Sequence, residues 1–419
     1  MTTVCSSAIG CQVQLALEFS APERLSSFTD GLRAFHYRNR QTEVADRNGV
    51  PYFINEFWTS GQRKANRLHE ISYRACFKPQ LPAFFIERLT RPGDAVYDPF
   101  MGRGTTPLQA ALMGRLPVGN DINPLSAMLL RPRLSPPPME AIAARLADIP
   151  PSGALPDNPL LSDLRAFFHK TVLARLISLR TRFIERESGG ALDEVDDWLR
   201  MVCLNRLTGH SPGFFSVYTM PPNQAVSADR QRQINMKRGQ SPPPRDVDAL
   251  ILRKSRALLS MGQPKHPSAL LGTAPAEHAE FVPDGSVNLV VTSPPFLDVV
   301  NYWADNWLRC WFGGIDLGTV PITAHKTPEA WEKFVRASLK DITRTLRPGG
   351  FLAFEVGEVR DGKVLLEDHV IAAARGLPLT VVGVMVNDQN FTKTANCWGV
   401  RNNHKGTNTN RIVLIWRNE

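Results

Sequence analysis

A glycine-rich turn near position 98 is the first segment whose residue types suggest ligand binding. It runs from Asp98 through Pro-Phe-Met-Gly-Arg to Gly104, and Thr105 and Thr106 then open a helical pattern. Glycines let the backbone approach a ligand closely, and a helix N-terminus offers free N–H groups. A dinucleotide fingerprint would have its third glycine where Pro107 stands. The turn therefore favours a nucleoside ligand without a pyrophosphate, although an ordinary tight turn remains an alternative.

An acidic residue follows the next apolar stretch. Residues 116–119 are predicted to form a strand, and Asp121 lies just beyond it. An acid at this place accepts hydrogen bonds from ribose hydroxyls in dinucleotide-binding folds. Strand, glycine-rich turn, helix, strand and acid together predict the start of a doubly wound α/β sheet.

The second chemical segment is Thr292-Ser-Pro-Pro-Phe296, which follows a predicted strand at 287–291. Ligands bind beyond the carboxyl ends of strands in open α/β sheets. A Pro-Pro turn fixes the backbone, and so fixes the directions of the Ser293 hydroxyl and the Pro294 carbonyl. The alternative is a purely structural turn that ends the strand.

These segments resemble the motifs of one enzyme family. Residues 97–106 and 119–124 look like the S-adenosylmethionine-binding motifs of amino-group DNA methyltransferases, and residues 292–296 look like their catalytic motif. Residues 69–82 are similar to the family segment that closes over the methionine end of the cofactor. The resemblance covers roughly 69–131 and 265–419.

The resemblance implies S-adenosylmethionine as the cofactor. It places Phe100, Gly102 and Thr105 at the methionine pocket, Asp121 on the ribose and Ile122 on the adenine. The full set of cofactor residues that it suggests is Phe77, Pro79, Asp98, Phe100, Gly102, Gly104, Thr105, Thr106, Asp121, Ile122 and Thr292. Many relatives have a Gly-Asp-Ala step whose acid contacts the adenine amine, but Thr273 stands there in this chain.

The predicted catalytic residues are Ser293, Pro294, Pro295 and Phe296. An exocyclic amine is a poor nucleophile because its lone pair is delocalised into the base. Two acceptors aimed at its N–H groups favour a tetrahedral nitrogen that can attack the sulfonium methyl. Phe296 offers a face on which a flipped base can stack, a contact worth about 1–3 kcal/mol.

The target base is predicted to be cytosine, methylated at N4 in duplex DNA after base flipping. In the resembled family a serine at position 293 accompanies N4-cytosine methylation, whereas Asp or Asn accompanies N6-adenine methylation. Methylation at cytosine C5 needs a nucleophilic Cys after Pro, and none of the six cysteines follows a proline. N6-adenine methylation, methylation of an RNA base and a catalytically silent DNA-binding relative remain alternatives.

Positive charge is concentrated in one window. The chain carries 49 Lys+Arg and 40 Asp+Glu, a net charge of +9, and residues 200–256 contribute +7 with ten basic and three acidic residues. Arg, Asn and Gln contact phosphates and base edges, and a solvated basic face is the equal alternative. The predicted contacts with double-stranded DNA are Arg206, Asn223, Gln224, Arg230, Arg232, Lys237, Arg238 and Arg245.

The predicted fold class is α/β, a doubly wound, mostly parallel sheet of the seven-stranded methyltransferase type with a mainly helical insertion. Residues 1–60 are interpreted as an N-terminal extension, 61–135 and 265–419 as the methyltransferase domain, and 136–264 as a target-recognition insertion. Eight prolines between 132 and 159 mark its boundary. Further strands are expected at 95–97, 351–356 and 411–416, and helices at 81–91, 107–113, 162–187, 193–207 and 328–346.

Composition excludes several other classes of protein. No stretch approaches 18 apolar residues and no signal peptide is evident, so a cytoplasmic enzyme without a membrane span is expected. The cysteines form no CxxC pair, so neither a disulfide framework nor a metal site is predicted. A homodimer and a companion restriction endonuclease, as in a restriction–modification system, are left open by the sequence.

Overall fold

A computed structural model describes residues 21–59, 65–73, 76–150, 159–220, 225–266, 268–297, 302–321, 325–359, 363–392 and 405–419. The helices are α1 Ala21–Arg33, α2 Gln80–Leu89, α3 Thr105–Leu112, α4 Leu125–Leu134, α5 Met139–Asp148, α6 Pro159–Leu164, α7 Lys170–Ser188, α8 Glu194–Arg206, α9 Ala228–Arg238, α10 Val247–Leu258, α11 Tyr302–Gly313, α12 Pro328–Thr345 and α13 Leu366–Ala374. The strands are β1 His36–Tyr37, β2 Arg40–Gln41, β3 Glu43–Arg47, β4 Val50–Asn55, β5 Ala95–Asp98, β6 Leu116–Asn120, β7 Leu270–Gly272, β8 Val287–Thr292, β9 Leu346–Val356, β10 Glu358–Val359, β11 Val364–Leu365, β12 Leu379–Thr392 and β13 Lys405–Arg417.

One large sheet organises the molecule. Its nine strands run in the order β3-β4-β12-β13-β9-β8-β5-β6-β7. Strands β7, β6, β5, β8 and β9 pair in parallel, and β13 is antiparallel to both β9 and β12. The seven strands from β12 to β7 confirm the predicted sheet type, and β3 and β4 extend it beyond β12. All five strands predicted from the apolar pattern are present.

Helices cover both faces of this sheet, as in a doubly wound fold. Alternate residues of β8 serve the two faces: Leu289 and Val291 lie in a cluster with α1 and α2, whereas Val290 lies in a cluster with α12 and α13. All six residues of β8 are buried. A continuous apolar run of this kind is typical of a central parallel strand covered on both sides.

Helix α12 illustrates how the sequence fixes the elements around the site. Thr327 caps it by accepting a hydrogen bond from the N–H of Ala330, and Pro328 occupies the first turn, where a missing N–H costs little. Its buried face carries Trp331, Val335, Leu339 and Ile342, three or four residues apart, and packs on the sheet. The predicted helix at 328–346 is thereby confirmed to within one residue.

The segment between β6 and β7 is helical: α5 lies within the proline-rich stretch at 132–159, and α6 to α10 follow from Pro159 onward. Its buried apolar residues join those of α3, α4 and α11 in one cluster. The single helix predicted over 162–187 is wrong, because α6 ends at Leu164 and α7 begins at Lys170. His169 caps α7 by accepting from the N–H of Thr171, which stops the first helix from continuing into the second.

The N-terminal residues contribute more than an extension. Strand β4 pairs in parallel with β12, matching Tyr52 to Val384 and Asn55 to Asn387. The Asn387 side chain also accepts hydrogen bonds from the N–H groups of Phe57 and Trp58, at 2.8 and 3.2 Å. Residues 43–58 are therefore part of the sheet and its surroundings, which the sequence interpretation of residues 1–60 did not anticipate.

Within the part of the chain that the structure describes, no helix is long and apolar enough to cross a membrane.

Candidate active site

A cavity of ≈ 240 Å³ lies at the carboxyl ends of the central strands. The chain passes from β5 to β6 on one side and places β8 on the other, so the order of strands reverses here. Such a reversal opens a crevice in which α/β folds bind ligands. The cavity is lined by Tyr73, Cys76, Phe77, Asp98, Pro99, Phe100, Met101, Gly102, Thr105, Asp121, Ile122, Asn123, Pro275, Ala276, Glu277, Ser293, Pro295, Pro321, His325 and Phe334.

Asp98 joins the two chemical segments. It ends β5, is 1% exposed, and its Oδ1 accepts hydrogen bonds from Thr292 Oγ1 at 2.6 Å and from the N–H of Phe100 at 3.1 Å. Burial raises the pKa of Asp98 to about 7, against the lowering effect of these hydrogen bonds. The carboxyl therefore holds the glycine-rich turn and the end of β8 together.

Two backbone N–H groups hold the Asp121 carboxylate in place. Its Oδ2 accepts from the N–H of Gly102 at 2.8 Å, and its Oδ1 accepts from the N–H of Asn123 at 2.9 Å. Burial raises the pKa of Asp121, and both backbone bonds oppose that rise. Each carboxylate oxygen has a second lone-pair site, so Asp121 keeps acceptor capacity for a ligand in the cavity.

Two residues of the turn position it without lining the cavity. Gly104 has φ 77°, and a Cβ there would lie 2.7 Å from Leu130 Cδ1, so only glycine fits. Thr106 is fully buried and donates to the carbonyl of Val291 on β8 at 2.9 Å. The predicted cofactor residues Pro79 and Thr292 likewise lie outside the lining, Pro79 just before α2 and Thr292 buried at the end of β8.

The proline-rich motif after β8 forms the adjoining wall. Ser293 and Pro295 line the cavity, and Pro294 is buried between them. Trp331 Nε1 donates to the Pro295 carbonyl at 2.8 Å, which fixes the turn to α12. Phe296 is half-buried against Gly357, where a Cβ would lie 2.7 Å from the ring.

Two buried arginines attach Leu68, Ile71 and Phe77 to the glycine-rich turn. Arg103 donates to the carbonyls of Ile71 and Phe77, at 2.8 and 3.3 Å. Arg133 is fully buried, donates to the Leu68 carbonyl at 3.0 Å and also to the carbonyl of Arg103. Burial lowers the pKa of Arg133 to about 9, with Arg103 adding to the effect. Tyr73 and Phe77 are thus held over the cavity.

The far end of the cavity contains residues that the sequence motifs did not include. The His325 ring stacks on Phe334 with centroids 4.7 Å apart, and Phe334 packs on Phe100 at 5.6 Å. Glu277 lies in the same wall, close enough to His325 to oppose the burial that lowers the pKa of that ring. The only sequence signal for Glu277 was its position shortly after the Gly-Thr-Ala step.

A double hydrogen bond fixes the loop that carries Glu277. Asn120 Nδ2 donates to the carbonyl of Ala274 at 2.8 Å, and the N–H of Ala274 donates to Asn120 Oδ1 at 3.0 Å. The N–H of Ala279 also donates to Asp341 on α12. Both ends of residues 274–279 are therefore anchored to the sheet and its helices.

The basic window divides into an inner and an outer group. Arg206 stacks on Phe214 at 4.1 Å, and burial lowers its pKa to about 10. Arg245 is half-buried and donates to the Pro212 carbonyl at 3.3 Å. By contrast, the exposed side chains of α9 include Arg230, Arg232, Lys237 and Arg238. Asn223 and Gln224 lie outside the described residues.

A sequence comparison matches an N-terminal part of the chain that includes the glycine-rich turn at 98–106. Residues 13–127 match the sequence model of the N6/N4 DNA methylase family, described as DNA methylase. These residues carry the signature of a DNA methylase. The match confirms the resemblance drawn from the glycine-rich turn and Asp121, at the level common to N4 and N6 methylation.

The curated relatives that match part of this chain are named Type II methyltransferases. Type II methyltransferase M.MjaII of Methanocaldococcus jannaschii is 37% identical over 76 residues, 18% of this chain and 14% of that protein. Type II methyltransferase M.MvaI of Kocuria varians is 31% identical over 110 residues, 26% of this chain and 23% of that protein. The matched segments span less than a quarter of either relative.

Among solved structures, TrmN from Thermus thermophilus aligns with 85% of this chain and 53% of its own, at 13% identity and a TM-score of 0.33. The fold assignment rests on the strand order of the chain's own sheet.

Proposed function

We propose that this protein is an S-adenosylmethionine-dependent DNA methyltransferase that methylates the N4 amine of cytosine in duplex DNA. The observation that carries the proposal is the meeting of two distant segments in one cavity. Asp121 and Gly102 line it from one side and Ser293 from the other. The proposed nucleoside site and the Ser293 hydroxyl therefore share a single space.

The residues of the cavity fit S-adenosylmethionine. Asp121 retains acceptor sites for ribose hydroxyls, and Ile122 offers an apolar face for a purine. Glu277 supplies a carboxylate at the aromatic end, in place of the acid missing at Thr273. Tyr73 and Phe77 cover the opposite end, which suits the aminoacyl portion. When bound, the cofactor supplies an electrophilic methyl group on its sulfonium.

The catalytic contribution of the chain is orientation of the amine. The Ser293 hydroxyl and the Pro294 carbonyl accept the two N–H groups of the cytosine amine, which directs its lone pair toward the methyl group. Phe296 provides a stacking face for the base, and Gly357 leaves room for the ring. The amine proton leaves to solvent after transfer, when the nitrogen is already cationic.

Recognition of the duplex is assigned to the insertion at 136–264. Helix α9 presents its cations beside α11, since Arg230 and Trp307 line one shallow cleft. Helix α11 begins six residues after Phe296, so this cleft adjoins the catalytic motif along the chain. Base flipping would move the target cytosine from the bound duplex into the cavity. Asn223 and Gln224 remain proposed contacts.

The relatives' Type II names support a role in DNA modification. We place the enzyme in the cytoplasm, within a restriction–modification system or as an orphan enzyme. A homodimer and a companion endonuclease stay open proposals.

One experiment separates the proposal from its alternatives. The protein is incubated with methyl-labelled S-adenosylmethionine and duplex DNA, and the DNA is digested to nucleosides for chromatography. The expected product is labelled N4-methyldeoxycytidine. Labelled N6-methyladenine would replace the cytosine assignment with adenine. If only an RNA substrate, tested in parallel, became labelled, the target would be an RNA base. The absence of label in either substrate would favour a silent DNA-binding relative.

A further inference from the structure

Helix α9 of the insertion is attached to its surroundings by amide side chains rather than by an apolar face. Gln231 is its one buried residue. The Gln231 amide donates to the Tyr218 carbonyl at 3.0 Å and to Asn235 Oδ1 at 2.8 Å. Asn235 Nδ2 in turn donates to the Ala166 carbonyl at 2.8 Å. These bonds determine which side of α9 faces inward, so its opposite side has a fixed direction.

Two of the cations on α9 are engaged within the protein. Arg232 donates to Asp229 at 2.6 Å and to Asp163 on α6 at 2.5 Å. The guanidinium of Arg238 lies over the Tyr218 ring, 3.9 Å from its centroid. Both side chains therefore help to hold α9 against the neighbouring segments.

The remaining exposed residues of α9 form a surface that we call the outer face. It consists of Arg230, Gln233, Met236 and Lys237. Residues three and four apart are neighbours on a helix surface, so these four side chains lie together. Arg230 Nη1 donates to Gln233 Oε1 at 3.1 Å, which orders the glutamine. The outer face therefore combines two cations, an oriented amide and an apolar side chain.

Met236 is the most exposed large apolar residue in the described part of the chain, at 84%. A single exposed apolar side chain is common on protein surfaces, so exposure alone indicates nothing about function. Met236, however, lies one turn after Gln233 and beside Lys237. It is the combination of these three side chains on one face that indicates a ligand.

The outer face has the chemistry that readout of the DNA major groove requires. Arg and Lys bind phosphate oxygens, a glutamine pairs with N6 and N7 of adenine, and an apolar side chain contacts the methyl group of thymine. The groove is about 12 Å wide and admits an α-helix. Gln233 Oε1 has a second lone pair, so it can accept from adenine N6 while Arg230 holds it, and its Nε2 can donate to N7.

The start of α9 is fixed to the helix that follows the catalytic motif. Trp307 Nε1 on α11 donates to the Val226 carbonyl at 3.1 Å, and the N–H of Ala225 donates to the Asp305 carbonyl at 3.1 Å. A duplex bound on the outer face is therefore held in a defined position relative to α11.

We propose that the outer face of α9 enters the major groove of the target duplex and reads an A·T pair there. Gln233 makes the paired hydrogen bonds to adenine, and Met236 contacts the methyl group of thymine. Arg230 and Lys237 bind the flanking phosphates. The inference rests on the DNA binding that the proposed function assigns to the insertion, and it adds the base pair that this insertion selects.

The test is a selection that does not depend on methyl transfer. The full chain with S-adenosylhomocysteine selects duplexes from a randomised pool, and the bound duplexes are sequenced. Wild type is expected to select a consensus that includes an A·T pair. Gln233→Ala should lower the preference for that pair about tenfold or more, with an unchanged salt slope.

Gln263→Ala is the matched control, because Gln263 is an exposed amide of the same insertion beyond α10. It should select the wild-type consensus. The same consensus in wild type and Gln233→Ala, an equal loss in the control, or no consensus in the wild type would each overturn the inference.

The role of Met236 is tested with deoxyuridine, which lacks the methyl group of thymine. Replacing the selected thymine should weaken wild-type binding about fourfold, the value of one buried methyl group, and should leave binding by Met236→Ala unchanged. Met261→Ala is the control, since Met261 is also exposed but lies beyond α10, and it should keep the wild-type sensitivity. A wild type that is indifferent to the replacement would refute the contact with Met236. A wild type that selects the consensus but transfers no methyl group would refute the methyltransferase activity and leave the readout by α9 standing.

Discussion

Thr292 Oγ1 donates to Asp98 Oδ1 at 2.6 Å, and this bond joins the ends of two adjacent parallel strands. Asp98 opens the glycine-rich turn, and Thr292 precedes Ser293. The bond therefore sets the spacing between the proposed cofactor site and the acceptors for the base. Neither residue has to touch a ligand for this spacing to matter.

Removing this hydroxyl is expected to weaken both stability and cofactor binding. Thr292→Val leaves the buried Asp98 carboxyl short of one donor, which costs about 1–3 kcal/mol of unfolding free energy. Denaturant unfolding and titration with S-adenosylhomocysteine measure the two effects. Thr343→Val is the control, because that hydroxyl is also buried but bonds only the Leu339 carbonyl of its own helix. Weakened binding in the control as well would remove the special role of Thr292.

The stability of the free protein should depend on the pH through Asp98. Its folded pKa of about 7 lies above the ordinary value of 3.8, so the folded state holds a proton that the unfolded state has lost. The contribution is favourable at low pH and is lost as the pH rises toward 7 and beyond. Between pH 5.5 and 8.5 the loss is about 2 kcal/mol. Asp98→Asn should abolish this part of the pH dependence, and parallel slopes in the two proteins would exclude it.

We expect that position 357 does not tolerate a side chain, because the Phe296 ring of the catalytic motif lies beside it. A Cβ there would lie 2.7 Å from Phe296 Cε2, so Gly357→Ala must displace the ring. We expect kcat to fall at least tenfold with the melting temperature nearly unchanged, because the ring is half-exposed and can move. Gly262→Ala is the control, since nothing lies within 4 Å of a Cβ there. Retained activity in Gly357→Ala would mean that the ring position is unimportant.

Charge reversal on α9 should reduce DNA affinity in a salt-dependent way. Arg230 and Lys237 are exposed, whereas Arg232 pairs with Asp163 and Asp229. The double variant Arg230→Glu, Lys237→Glu should lower the slope of log K against log salt by about two, since each phosphate contact contributes about 0.9. Fluorescence anisotropy across a salt series gives the slope.

The control for that experiment uses exposed cations outside the basic window, near the points where two strands of the sheet begin. Lys340 and Arg375 are exposed and lie shortly before β9 and β12 begin. Reversing both changes the net charge by the same amount. An equal loss of slope would show that total charge, rather than α9, governs binding.

The sheet was largely predictable because its central strands are apolar runs that end in distinctive turns. Strands β3, β4, β7 and β12 of the large sheet were not predicted; β3 is exposed along its whole length and β4 contains Pro51. β3 shows neither the alternation nor the apolar run that marks a strand, and Pro51 interrupts the apolar run of β4. β4 pairs with β12 and β3 pairs with β4, and this pairing supplies stabilisation that their own sequences do not reveal.

The site was predictable only where its residues lie within motifs. Glu355, whose side chain is hydrogen-bonded to Ser293, sits in an apolar strand, and only the pairing of β9 with β8 brings the two residues together. Glu277, His325 and Phe334 meet because a loop and α12 converge on the cavity. Arg206, a predicted DNA contact, is half-buried and stacks on Phe214, and its contact with DNA stays a prediction.

The pairing of β4 with β12 has a consequence for truncated forms of this protein. Residues 52–55 cover backbone amides and carbonyls of residues 384–387. Deleting the first 58 residues would leave those groups as an open sheet edge, and such edges recruit strands from other molecules. A shortened chain that keeps every catalytic motif is therefore expected to self-associate, so the minimal soluble unit must begin before β3.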